Sequence, residues 1–261
     1  MVWKAVVEST IGTRHCQNQV PCQDYGAVRV LHPAVVGALS DGAGSAQHAE
    51  VGAQVAVEVF IQELTEQLPE WLSLQEADLA SQAEAFFVEG IKTVVQSLET
   101  EAARLGCSVQ DLHCTLLGFV STPYWIAAMQ IGDGFIVVRP EADASYELLF
   151  QPVKGEYINE TVFVTSTEAL SAMQVGVRAG QYPFICAATD GLEKVAIRLQ
   201  GWLPHAPFFQ PFQDCLSLYD AQQQQDYVQS FLSSEALNAR TDDDKTLLAC
   251  LYQPEEAPCE S

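Results

Sequence analysis

Aspartates recur at four places in one local setting. Asp41 follows the apolar run 35–39 and precedes Gly42. Asp133 follows the run 125–131 and lies between Gly132 and Gly134. Asp190 follows the run 184–188 and precedes Gly191. Asp242, Asp243 and Asp244 lead directly into Lys245 and the apolar run 246–252. Each apolar run reads as a buried strand, so a carboxylate at its end is carried on a rigid element and suits metal ligation. Oxygen-only ligands select hard cations such as Mg²⁺ or Mn²⁺. Two such ions about 3.5–4 Å apart can share a carboxylate and activate a water. Taken singly, each aspartate is also what a turn or a helix N-cap would use, so spacing alone names no enzyme.

The elements that must position these groups follow from periodicity. Strands are expected at 2–8, 25–31, 34–39, 115–120, 125–131, 135–139, 146–150, 162–165, 173–177, 182–189 and 246–252, and a loop at 9–24. A long amphipathic helix is expected over 46–68, closing before Pro69, and a second over 76–105, stopped at Leu105-Gly106. Shorter helices are expected at 207–219 and 222–234. Strand runs come in neighbouring pairs and the long helices are contiguous. That predicts an α+β arrangement of antiparallel sheets with helices outside, and not βαβ units. No repeat or linker divides the chain. A single domain over 1–253 is expected, followed by an acidic, frayed tail at 254–261.

Composition narrows the partners. The chain has 261 residues, 48% hydrophobic and 18% charged, with a net charge of −22. Such a charge repels nucleic acid backbones and anionic membranes, so neither is an expected partner. No apolar run is long enough for a membrane span, and Met1–Glu8 has no signal-peptide layout. None of the eight cysteines forms a C-x-x-C pair, which excludes zinc-ribbon and thioredoxin-like readings. Reduced thiols in a cytoplasmic protein are expected, with Cys186 and Cys250 as small core residues.

The ordered series Gln23-Asp24, Ser40-Asp41-Gly42-Ala43-Gly44, Gly132-Asp133-Gly134, Ala188-Thr189-Asp190-Gly191-Leu192 and Asp243-Asp244-Lys245-Thr246 resembles the PP2C (PPM) family of metal-dependent serine/threonine protein phosphatases. The resemblance spans residues 5 to 252. Gly12-Thr13-Arg14-His15 and Cys22-Gln23-Asp24 are similar to the bacterial branch. The resemblance implies a four-layer α-β-β-α sandwich. It implies that Asp41 bridges two Mg²⁺ or Mn²⁺ ions, that Gly42 offers its carbonyl, and that Asp190 and Asp243 complete the first ion's ligands. Asp133 would help hold a third ion, Asp24 would support the site, and Arg14 would contact the phosphoryl group. The implied reaction is hydrolysis of phosphoserine or phosphothreonine in a phosphorylated protein by a metal-activated water, in a monomer.

The chain departs from the family pattern at three places. Gln23 stands where the family often has glutamate. Ala43 stands where a histidine often follows the first Asp-Gly; His15 could serve in its place only if its loop folds inward, whereas a loop histidine is more often exposed. Gly134-Phe135 replaces Ser-Arg. Asp242 or Asp244 would replace Asp243 as ligand if the register slips by one, and Lys245 is read as softening repulsion among the three. Two other functions stay open: an inactive PP2C-like module that binds phosphoproteins or regulates a partner, and a hydrolase of small phosphoesters.

Overall fold

The computed structural model describes residues 2–74, 76–141, 145–150 and 161–253; the expected tail 254–261 lies outside them. The strands are β1 (Val2–Thr10), β2 (Asp24–Leu31), β3 (Ala34–Asp41), β4 (Leu116–Ser121), β5 (Trp125–Ile131), β6 (Phe135–Arg139), β7 (Glu147–Leu148), β8 (Gln174–Ala179), β9 (Phe184–Ala188), β10 (Ile197–Arg198), β11 (Leu203–Pro204) and β12 (Lys245–Gln253). The α-helices are α1 (Thr13–Asn18), α2 (Ala49–Ser73), α3 (Glu76–Leu105), α4 (Ala169–Ala172), α5 (Glu193–Ala196), α6 (Ala206–Leu218), α7 (Ala221–Leu232) and α8 (Glu235–Asn238).

Two five-stranded antiparallel sheets carry the fold, ordered β1-β12-β9-β6-β7 and β2-β3-β4-β5-β8. Alternation along the strands builds the layers, because successive side chains point to opposite faces. In β3, Val35 and Leu39 pack between the sheets, while Val36 and Ala38 face α2 and α3. In β12, Leu248 and Cys250 face inward, while Leu247 and Ala249 face Phe209 and Phe212 of α6. The result is the four-layer α-β-β-α sandwich. Cys186 and Cys250 are buried and unpaired core residues. No described helix is long and apolar enough to cross a membrane.

Several boundaries differ from the sequence reading. The segment 9–24 is not simply a loop: β1 runs to Thr10, α1 occupies Thr13–Asn18 and β2 begins at Asp24. The helix α2 does not close before Pro69 but continues to Ser73. Proline removes one backbone donor, which costs stability. Burial of Trp71, stacked on Phe86 and Trp125 at centroid distances of 4.7 and 6.0 Å, offsets that cost and carries the helix on. Residues 162–165 are not a strand, and the strand expected at 146–150 shrinks to Glu147–Leu148.

Candidate metal centre

The site lies where strand ends from the two sheets meet. Asp41 closes β3. Its N–H donates to Thr115 Oγ1 at 2.9 Å, its carbonyl accepts from Thr115 N at 2.8 Å, and Ser40 Oγ donates to the Thr115 carbonyl at 2.5 Å. The carboxylate is thus fixed by its own backbone. Gly42 is glycine for a packing reason: a Cβ there would sit 2.6 Å from the Ala49 carbonyl oxygen at the start of α2.

Asp133 occupies the β5–β6 turn, and its Oδ2 accepts from Thr161 Oγ1 at 2.8 Å. Asp190 opens the turn after β9. One carboxylate oxygen from each of Asp41, Asp133 and Asp190 lies within 4.8 Å of the others. A cleft lined by these three also presents Arg14, Gln23 and Asp243. Burial first pushes two of these carboxyls up from the ordinary range, Asp41 to about 10 with the charges of Asp24 and Asp190 adding, and Asp190 to about 6 with the charges of Asp133 and Asp243 adding and a hydrogen bond with Asp41 opposing. Convergent carboxylates short of countercharge suit a cation.

The remaining expected residues are placed as follows. Asp243 lines the same cleft but stands outside the group of three; its Oδ1 accepts from Arg14 Nη2 at 2.8 Å. Asp24 is buried behind Asp41, its cross-strand partner, and its Oδ2 accepts from Thr189 Oγ1 at 2.6 Å. Thr189 Oγ1 in turn accepts from Thr246 N at 3.0 Å, tying β9 to β12 beside Asp190. Burial raises the Asp24 carboxyl to about 7, the Thr189 bond opposing and the Asp244 charge adding. Gln23 is buried. Its carbonyl accepts from Gly42 N at 3.0 Å, and its side-chain Oε1 has no hydrogen-bond partner among the described residues.

Sequence reasoning missed the role of Asp244. Its Oδ1 accepts from Gly12 N at 2.6 Å; its Oδ2 accepts from Gln23 N at 2.6 Å and meets His15 Nδ1 at 2.8 Å. This buried carboxylate therefore clasps both ends of the segment 12–23 and turns His15 inward, against the expectation of an exposed loop residue. Gly12 is required there, since a Cβ would lie 2.3 Å from the Asp243 carbonyl carbon. Lys245 acts on the carboxylates through its charge, which is attracted to Asp244, Asp24 and Asp243. It makes no ion pair among the described residues, and its Nζ donates to Asn238 Oδ1 at 3.1 Å and to the Asp243 carbonyl at 3.2 Å. Thr161 and Phe163, which also line the cleft, carried no sequence signal.

Comparison with known proteins places the chain among relatives. Residues 11–232 match the family model described as Protein phosphatase 2C. The chain is 33% identical over 260 residues to Serine/threonine-protein phosphatase 3 of Escherichia coli (strain K12), covering 97% of this chain and 99% of that one. Among solved structures, the fold is similar to serine/threonine phosphatase Stp1 from Staphylococcus aureus, with a TM-score of 0.63 at 14% identity, covering 97% and 96% of the two chains. It is also similar to the catalytic domain of the phosphatase PstP in complex with two manganese ions, with a TM-score of 0.59 at 13% identity, covering 96% and 98%.

Proposed function

The chain belongs to the protein phosphatase 2C family, and from that premise we propose that it hydrolyses phosphoserine and phosphothreonine in proteins at the acidic cleft, with Mg²⁺ or Mn²⁺. The observation that carries this reading is the convergence of Asp41, Asp133 and Asp190 on strand ends of both sheets. The residues fit a divalent cation: all the donors are oxygen, the carboxylates lack countercharge, and the buried Oε1 of Gln23 is an unused neutral acceptor. Asp41, Asp190, Asp133 and the Gly42 carbonyl would hold the ions. Asp243 would join them, its Arg14 contact exchanged for the cation. Bound ions supply positive charge against the phosphoryl oxygens and acidify a water.

The chain's own residues do the rest. Asp24 and Thr189 hold the floor of the site through their 2.6 Å bond. Arg14, half-exposed at the mouth of the cleft, offers a guanidinium fork that matches two phosphoryl oxygens. The chain acts as a monomer in this reading, and its charge of −22 favours phosphoprotein substrates with cationic surroundings. A catalytically inactive regulatory module is the second reading, favoured by the neutral Gln23 at the centre. Hydrolysis of a phosphothreonine peptide, measured with Mn²⁺, Mg²⁺ or chelator, decides between them. Metal-dependent release of phosphate is expected; absence of turnover with either metal would overturn the reading.

A further inference from the structure

We propose that His15 is the proton donor to the leaving oxygen of the phosphoester, held in place by Asp244 as a positioning residue. The assignment rests on the phosphatase reading and deepens it. Among the residues lining the cleft, the aspartates serve as ligands only when ionised, and Arg14 keeps its proton at any working pH. His15 supplies the imidazole of that lining, a ring that can hold a partner through one nitrogen and donate a hydrogen from the other.

The geometry prepares it for that role. An ionised carboxylate only accepts hydrogen bonds, so the 2.8 Å contact with Asp244 Oδ2 places a hydrogen on Nδ1. Asp244 itself cannot swing away, because two backbone N–H groups hold its oxygens at 2.6 Å and its side chain is only 3% exposed. With Nδ1 so engaged, Nε2 is the ring nitrogen left to meet a substrate, and it makes no hydrogen bond among the described residues. The His15 side chain is 11% exposed, and His15 lines the cleft that holds Asp41 and Asp190.

The step balances simply. The water oxygen forms a new bond to phosphorus as the bond between phosphorus and the serine or threonine oxygen breaks. The electron pair of that bond stays on the leaving oxygen. The donor is the doubly protonated ring: Nε2 gives its proton to that oxygen, yielding the free hydroxyl and a neutral ring that keeps its hydrogen on Nδ1 toward Asp244, and Nε2 is later reprotonated from solvent, which takes up the proton lost by the attacking water. An alkoxide is strongly basic and needs this proton; p-nitrophenolate is weakly basic and does not.

The test compares leaving groups. His15→Gln and His15→Ala are assayed with Mn²⁺ on a phosphothreonine peptide and on p-nitrophenyl phosphate, and Mn²⁺ binding is followed by calorimetry. The expected result is a loss of roughly 10²–10⁴-fold in kcat on the peptide, the scale of general acid catalysis, with less than about tenfold on the aryl ester. Mn²⁺ affinity should match the wild type, and added imidazole should restore part of the peptide activity of His15→Ala. The ratio of the two rates within one preparation does not depend on how much of it is folded. Equal losses on both esters, or no loss, would overturn the assignment alone. A wild type inert toward both esters would overturn the phosphatase reading along with it.

Discussion

Asp24 and Asp41 lie directly opposite each other in the β2–β3 pair, two carboxylates on neighbouring strands in a largely buried setting. Like charges placed this way destabilise a sheet unless something of opposite sign joins them. Burial first raises Asp24 to about 7, with the Asp244 charge adding, and Asp41 to about 10, with the Asp24 charge adding, against 3.8 for an unperturbed aspartate. The folded state therefore binds more protons than the unfolded chain between about pH 4 and those values, and stability must fall as pH rises through that window. In chelator, the Tm should drop between pH 5.5 and pH 8. Each proton is worth about 1.4 kcal/mol per pH unit, or roughly 2–4 °C for a chain of this size. Saturating Mn²⁺ should flatten the slope. Scanning calorimetry with and without metal checks this, and a metal-free Tm that is level or rises over this range contradicts it.

Asp41→Asn should separate function from stability. The carboxylate is a ligand in the proposed site and a source of repulsion in the empty one. Turnover of a phosphothreonine peptide should fall by about 10²–10³-fold, the scale of losing one preorganised electrostatic contact. The metal-free Tm should rise, because asparagine removes the cost of burying a carboxyl that is ionised in the unfolded chain near neutrality. Full activity at saturating Mn²⁺ would remove Asp41 from the mechanism.

Trp71→Ala tests why α2 continues through Pro69. The indole is fully buried against Phe86, Phe87 and Trp125. Its removal should cost about 3–5 kcal/mol and lower the Tm by roughly 10 °C. Activity per folded molecule should not change, since Trp71 does not line the cleft. A loss of turnover per folded molecule would show that the helix end reaches the site by a route the packing does not reveal.

The strands that carry Asp41, Asp133 and Asp190 were legible because each is a mostly apolar run followed within two residues by a carboxylate with a glycine beside it. A buried strand fixes where its end must be, so a periodic signal also locates the ligand. Asp244 was not legible for the opposite reason. The run Asp242-Asp243-Asp244 presents three identical side chains, and only the tertiary approach of Gly12, His15 and Gln23 gives the third one its partners. The same approach makes α1, whose Arg14 N–H donates to the Asp242 carbonyl at 3.0 Å, so its six mostly polar residues read as loop when taken alone. Thr161 reaches Asp133 across 28 positions in sequence, a contact no local pattern announces.

Gln23→Glu asks whether the neutral amide limits metal binding. Gln23 lines the cleft and its Oε1 is buried and unpartnered among the described residues, so a carboxylate would place a charge there with nothing else to bind. Attraction between that charge and one positive charge of a cation about 4 Å away is worth on the order of 4 kcal/mol at an effective dielectric near 20. Repulsion from Asp24, Asp41 and Asp244 and the lost hydration of the carboxylate oppose it. A net gain of about 1.4 kcal/mol would lower the Mn²⁺ concentration for half-maximal activity about tenfold, with little change in the maximal rate. The same charge should lower the Tm in chelator, because the empty site then holds one more buried carboxylate. A wild type that is inert and gains turnover in this variant would favour the regulatory reading. An active wild type whose metal dependence does not move would place Gln23 outside the metal's reach, and its unpaired oxygen would then need a water as its partner.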